Sequence, residues 1–191
     1  MEFFVTTHRI KTLLSLLFTL VLAALGAPSA AYAEGANSTA IRSSAADAKC
    51  VGLADRGSTA DNTHLILWDC HYHIDQLWHG AGTTGLIVST AAGNKCVGLG
   101  VGGSTTNGTP LVLERCNGDP DQQWEFYPLG ENTYMIRNYP SRRCVGLANR
   151  GSTLNGTDLV LWDCHLHPDQ RWVFTVPPRE YGFRVPIVGR I

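Results

Sequence analysis

Residues 144–172 read CVGLANRGSTLNGTDLVLWDCHLHPDQRW, and the same pattern occurs twice more in the chain. Residues 50–78 read CVGLADRGSTADNTHLILWDCHYHIDQLW, and residues 96–124 read CVGLGVGGSTTNGTPLVLERCNGDPDQQW. Each copy is 29 residues long without an internal gap, and the starts lie 46 and 48 residues apart. Such a period means one supersecondary unit built repeatedly, each copy burying its apolar face only against its neighbours. The sequence describes a threefold object.

Inside each copy apolar residues alternate at period two, and no stretch beyond residue 33 sustains a helical period. In the first copy, short strands are predicted at 39–42, 50–54, 64–69 and 77–79. Turn chemistry fills the gaps: Gly57-Ser58-Thr59 here, Asn107-Gly108 and Asn155-Gly156 in the other copies. The strand ahead of each first cysteine also recurs, as Thr39-Ala40-Ile41, Leu86-Ile87-Val88 and Tyr134-Met135-Ile136. Four strands in each of three copies give an all-β fold of twelve.

All six cysteines lie in the copies, two in each and always 20 positions apart. An even count in a chain with an export signal reads as a disulfide framework. The repeat selects Cys50–Cys70, Cys96–Cys116 and Cys144–Cys164 among the possible pairings. Zinc is the rival explanation, but no short Cys-x-x-Cys pair is present to hold a tetrahedral ion.

The export signal is predicted at 1–33. His8, Arg9 and Lys11 precede an apolar run over 13–27, and Ala31-Tyr32-Ala33 matches an A-x-A cleavage site. The run falls short of the ~20 residues a spanning helix needs. A secreted, extracellular protein without a membrane span after signal removal is expected. Removing Arg9, Lys11 and Glu2 takes the totals of 15 Lys+Arg and 16 Asp+Glu to 13 and 15, a net charge of −2. No basic stripe is present to neutralise phosphates, so nucleic acid is not an expected partner.

Three Gln-x-Trp units close the copies: Gln76-Trp78, Gln122-Trp124 and Gln170-Trp172. Each follows a Cys-Val-Gly-Leu strand and a second strand that ends at the second cysteine. In this the chain resembles the ricin B-chain-type lectin family. The resemblance implies a β-trefoil of three four-stranded repeats with pseudo-threefold symmetry, and a non-catalytic carbohydrate-binding module. The expected domain spans 34–176, with repeats at about 37–80, 83–128 and 131–176, followed by a tail at 177–191. In the tail Tyr181, Phe183, Val185 and Ile187 alternate, a stripe expected to pack on the domain.

Strand alternation sorts the side chains. Val51, Leu53, Leu65 and Leu67 point inward; Gly52, Ile66 and Trp68 point outward, followed by Asp75. The third copy offers Gly146, Val160, Trp162 and Asp169 at these places, and the second offers Gly98, Val112 and Glu114, with no aromatic. Trp78, Trp124 and Trp172 are expected in the core. An outward Trp68 or Trp162 either lies under a neighbouring loop or forms a platform for the apolar face of a sugar ring.

The galactose-binding pattern of the family is broken here. Glycine stands at 52, 98 and 146, where the family carries an aspartate that accepts sugar hydroxyls. Ile66, Val112 and Val160 replace its glutamine, and Asp75, Asp121 and Asp169 replace its asparagine. Copies one and three alone offer substitutes, as Asp-Cys-His-x-His over 69–73 and 163–167. The candidate carbohydrate-binding set is Trp68, His71, Asp75 and Gln76 in the first copy, and Trp162, His165, Asp169 and Gln170 in the third. The paired histidines also raise the question of a metal, but two such ligands are common by chance and none is assigned.

No nucleophile elbow, metalloprotease motif or phosphate loop occurs, so no catalytic residue and no cofactor are expected. The expected function is glycan or polysaccharide binding through the first and third repeats. The alternative is a trefoil reused for protein binding or inhibition. A monomer is expected in either case. Asn37, Asn107 and Asn155 match the N-glycosylation pattern, the last two being better explained as turns.

Overall fold

The computed structural model describes residues 38–81 and 85–178; the expected export signal at 1–33, Asn37 and the expected tail beyond residue 178 lie outside them. Twelve antiparallel strands form the domain. The first repeat contributes β1 (Ala40–Ser43), β2 (Lys49–Leu53), β3 (Thr63–Asp69) and β4 (Trp78–His79). The second contributes β5 (Val88–Ser89), β6 (Lys95–Leu99), β7 (Leu111–Arg115) and β8 (Trp124–Gly130). The third contributes β9 (Thr133–Asn138), β10 (Cys144–Leu147), β11 (Thr157–Trp162) and β12 (Trp172–Thr175).

The pairings repeat with the sequence. β2–β3, β6–β7 and β10–β11 are hairpins in one register, setting Gly52 opposite Ile66, Gly98 opposite Val112 and Gly146 opposite Val160. β4–β5, β8–β9 and β12–β1 join each repeat to the next, the last closing the ring. This is the expected β-trefoil.

Its core is threefold as well. Ile41, Val51 and Leu65 meet the equivalent triplets Ile87-Val97-Leu111 and Ile136-Val145-Leu159 around one small central cavity. Trp78, Trp124 and Trp172 are fully buried. Their indole N–H groups donate to the carbonyls of Val51 (3.2 Å), Val97 (3.0 Å) and Val145 (3.1 Å), each 27 residues back. A buried indole needs such a partner, and here it ties the end of each repeat to its first strand. The three expected disulfides close, and no cysteine among the described residues is free.

Two placements differ from the alternation. Val112 and Val160, on the outward face of their hairpins, are buried. A neighbouring turn or strand covers each: Gly100 packs on Val112, β3 pairs with β7 at His64 and Val112, and Pro110 bridges to Val160. Outward in a two-stranded hairpin is not outward once a third element lies over it.

Candidate functional site

Two cavities, of about 560 and 370 Å³, open on the third and first repeats at equivalent positions. Each has the outward tryptophan on one side, Trp162 at 44 % exposed and Trp68 at 42 %. Neither ring is covered by a loop. Opposite lies a turn that periodicity does not announce. Over Ala54–Gly57, Asp55 and Arg56 hold φ values of 52° and 60°, and Gly57 holds 81°. Ala148–Gly151 does the same with Asn149, Arg150 and Gly151. Left-handed backbone is costly for residues with a Cβ, so two such residues in succession need support from packing. Gly57 supplies it by close approach: a Cβ there would lie 2.9 Å from that of Asp75. Gly100–Gly103 repeats the turn in the second repeat, so it belongs to the fold and is borrowed by the sites.

Gln76 and Gln170 are almost fully buried, Gln76 at the floor of the first-repeat cavity. The Gln76 carbonyl accepts the backbone N–H groups of His71 (2.8 Å) and Tyr72 (3.1 Å), and its amide donates to the Asp69 carbonyl (2.9 Å). Gln170 does likewise with His165 (2.9 Å) and Asp163 (3.0 Å). These glutamines hold the histidine loops in place. They also explain the glycines. A Cβ on Gly52 or Gly146 would stand 3.0 Å from the glutamine Cγ, so a side chain there requires the glutamine to give way by a few tenths of an ångström.

The histidine loops are built alike in both repeats. Tyr72 and Leu166 take positive φ, folding each His-x-His so that its rings meet with centroids 4.6 Å apart. The His73 N–H donates to His71 Nδ1 at 3.2 Å, and the His167 N–H to His165 Nδ1 at 3.3 Å. An imidazole accepting at Nδ1 carries its neutral-state proton on Nε2. That Nε2 lies 3.7 Å from Asp75 Oδ2 in the first repeat and 3.7 Å from Asp169 Oδ2 in the third. The gap is too long for a hydrogen bond, so donor and acceptor stand side by side unspent on each other.

The same residues form the metal-like groupings His71-His73-Asp75 and His165-His167-Asp169, with ligand atoms within 4.8 Å of one another. The tautomer argues against coordination there. With Nδ1 accepting a backbone N–H and Nε2 protonated, neutral His71 presents no lone pair to an ion.

In the second repeat Glu114 takes the tryptophan's place and folds back over Gly98, accepting from Gln122 Nε2 at 3.0 Å. Burial, and then the neighbouring Asp121, push its carboxyl up to about 7. This repeat has no aromatic platform and no histidine.

The sequence reading found Trp68, Trp162, His71, His165, Asp75 and Asp169, and the fold brings each set of three together. It missed the turns bearing Arg56 and Arg150, which line the same cavities. Their signal was Asn149 and the glycines that follow, Gly57 and Gly151, residues that tolerate left-handed backbone. It also missed Gly108, which the second repeat sends to the edge of Trp162.

The fold and its paired cavities define a β-trefoil of the lectin class. The sequence profile of the ricin-type beta-trefoil lectin domain matches residues 37–177, and the chain belongs to that family. Domains of this family are non-catalytic carbohydrate-binding modules. Among solved structures, the designed threefold-symmetric protein ThreeFoil superimposes with TM-score 0.65 at 20 % identity, over 72 % of this chain and 96 % of its own. The Macrolepiota procera ricin B-like lectin in complex with lactose gives 0.61 at 20 % identity, over 75 % and 97 %. An exo-β-1,3-galactanase from Clostridium thermocellum gives 0.67 at 19 % identity, over 74 % of this chain but only 30 % of the enzyme. At these identities the likeness is one of fold. No curated protein matches the chain. Among the described residues, no helix is long and apolar enough to cross a membrane.

Proposed function

We propose that this protein is a secreted lectin whose first and third repeats each bind one unit of an extended glycan. The sugar ring lies on Trp68 or Trp162, and its hydroxyls are read by His71 with Asp75, or by His165 with Asp169. The observation that carries this reading is the exposure of these two tryptophans inside formed cavities, while the three Gln-x-Trp tryptophans are wholly buried. A monomer that leaves two large aromatic rings half-exposed beside paired donors and acceptors is built to cover them with a ligand. The second repeat, with Glu114 over Gly98, is silent.

Each site is open and shallow, so single-site affinity is weak and retention comes from engaging both on one polymer. Chromatography of the mature protein on immobilised polysaccharides, chosen by glycan array, tests this. Trp68→Ala and Trp162→Ala should each shorten retention, and the double variant should abolish it while keeping its thermal transition. Full retention by a folded double variant would sink the proposal and leave a protein partner as the ligand.

A further inference from the structure

Each repeat sends one turn onto the strand end of its neighbour, and the contact recurs around the ring. The Gly156 N–H of repeat three donates to the Leu67 carbonyl (2.9 Å), that of Gly108 of repeat two to Leu161 (2.8 Å), and that of Asn62 of repeat one to Leu113 (2.8 Å). The accepting leucines immediately precede Trp68, Trp162 and Glu114. The residue that follows is gripped from the same side. Asp69 accepts from Asn155 Nδ2 (2.7 Å) and Lys49 Nζ (2.6 Å), and its own N–H donates to Asn155 Oδ1 (3.0 Å). Asp163 accepts from Asn107 Nδ2 (2.8 Å) and Arg143 Nε (2.8 Å).

The contact onto the second repeat is kept with different partners. Arg115 stands where Asp69 and Asp163 stand, and Asp61 stands where Asn155 and Asn107 stand. Asp61 pairs with Lys95, the counterpart of Lys49. The carboxylates of Asp69, Asp163 and Asp61 are all held below the usual range, by Lys49, Arg143 and Lys95 first and then, for the two aspartates after tryptophan, by Asn155 and Asn107. Two solutions to one contact in one chain indicate that the contact itself is required.

We propose that each glycan site is completed by the repeat before it: Asn155-Gly156 position Trp68, and Asn107-Gly108 position Trp162. The backbone bond at its leucine and the side-chain lock at its aspartate flank the tryptophan, so together they fix the course of its backbone and hence where its ring projects. The glycines also leave the ring edges clear; a Cβ on Gly108 would touch Trp162 Cζ3 at 3.7 Å, and one on Gly156 would lie 4.0 Å from Trp68 Cζ3. This inference rests on the proposed sugar sites for its effect on affinity, but not for its effect on the tryptophans.

The test uses the mature protein and the lock that the second repeat already contains. Asn155→Asp sets two carboxylates together and should weaken polysaccharide binding about tenfold in a Trp162→Ala background, where only the first site remains. It should leave binding unchanged in a Trp68→Ala background. Adding Asp69→Arg recreates with Lys49 the residue set of the second repeat, where Lys95 pairs with Asp61 beside Arg115, and should restore affinity to within about twofold. In parallel, the Trp68 indole N–H resonance should shift in Asn155→Asp and return in the double variant, with Trp162 unmoved. Asn155→Ala repeats the experiment should the charged variant not fold. A Trp68 resonance indifferent to these changes, or a double variant folded but not rescued, overturns the inference. Failure of Trp68→Ala to alter binding overturns the sugar reading alone, because the resonances still judge the lock.

Discussion

The carboxyl group of Glu114 lies over the α-carbon of Gly98, where a methyl group on that glycine would collide with it. The second repeat has thus filled with its own side chain the place that its two sisters leave open beside a tryptophan. The geometry has a thermodynamic signature, because a carboxyl folded inward prefers its proton.

Glu114 is raised from 4.5 to about 7, chiefly by burial and next by Asp121. A folded-state value above the unfolded one means the folded protein holds the proton more tightly. Its stabilising effect is full below about 4.5 and lost as pH rises through about 7. Because the group is partly solvated, the loss is discounted to about 1 kcal/mol. Thermal melts of the wild type should therefore fall by about 3 °C between the two ends of that window, and Glu114→Gln should flatten the profile. A Glu114→Gln curve parallel to wild type would refute the assignment.

Gln76→Ala should destabilise the domain by about 1–3 kcal/mol, because it removes the partners of half-buried backbone groups of His71 and Asp69. Urea denaturation measures it. A loss under about 0.5 kcal/mol, with sugar binding gone, would instead make Gln76 a direct ligand contact.

Simple galactose or lactose at millimolar concentration should not elute the protein from a polysaccharide column. Gly52 and Gly146 offer no hydroxyl-accepting carboxylate, and the Cγ atoms of Gln76 and Gln170 crowd the place where one would attach. Gly52→Asp should not create galactose affinity but should cost about 1–3 kcal/mol by overpacking against a hydrogen-bonded glutamine. Competitive elution together with melts of that variant decides the matter; elution by galactose in wild type means that His71 and Asp75 suffice for that sugar.

Replacing any one cystine, for instance Cys96 and Cys116 together by serine, should cost about 3 kcal/mol in the chain-entropy account, each bridge closing a loop over a separation of 20 residues. Denaturant midpoints of the three paired variants should fall by similar amounts. A variant with unchanged midpoint would show that its bridge constrains nothing in the unfolded chain.

The repeat, the strands, the cystines and the inward tryptophans were legible because each is a local pattern copied three times. Trp68 and Trp162 were placed on the outward face by the same alternation, which has no means of deciding whether something covers that face. For the tryptophans nothing does; for Val112 and Val160 a neighbouring element does, and no period inside one copy carries that information. Gln76 was read by type as a polar site residue, whereas its partners are backbone groups four to seven residues away, folded back by a loop with positive φ at Tyr72. The charge exchange at Arg115 and Asp61 was visible as a departure from the repeat, but its compensation needed the contact between repeats one and two.

The seam between β12 and β1 makes the two proposed glycan sites unequal in time. The lock of the third-repeat site joins residues 56 apart, within one continuous run of chain. That of the first-repeat site joins Asn155 to Asp69, 86 apart, across the place where the last strand returns to the first. Longer loops close more slowly, so during refolding the Trp162 cavity should be assembled while the Trp68 cavity still waits for the ring to shut. Both cavities need the last repeat, which carries Trp162 of one and Asn155 of the other, so neither is complete until the final third of the chain has folded.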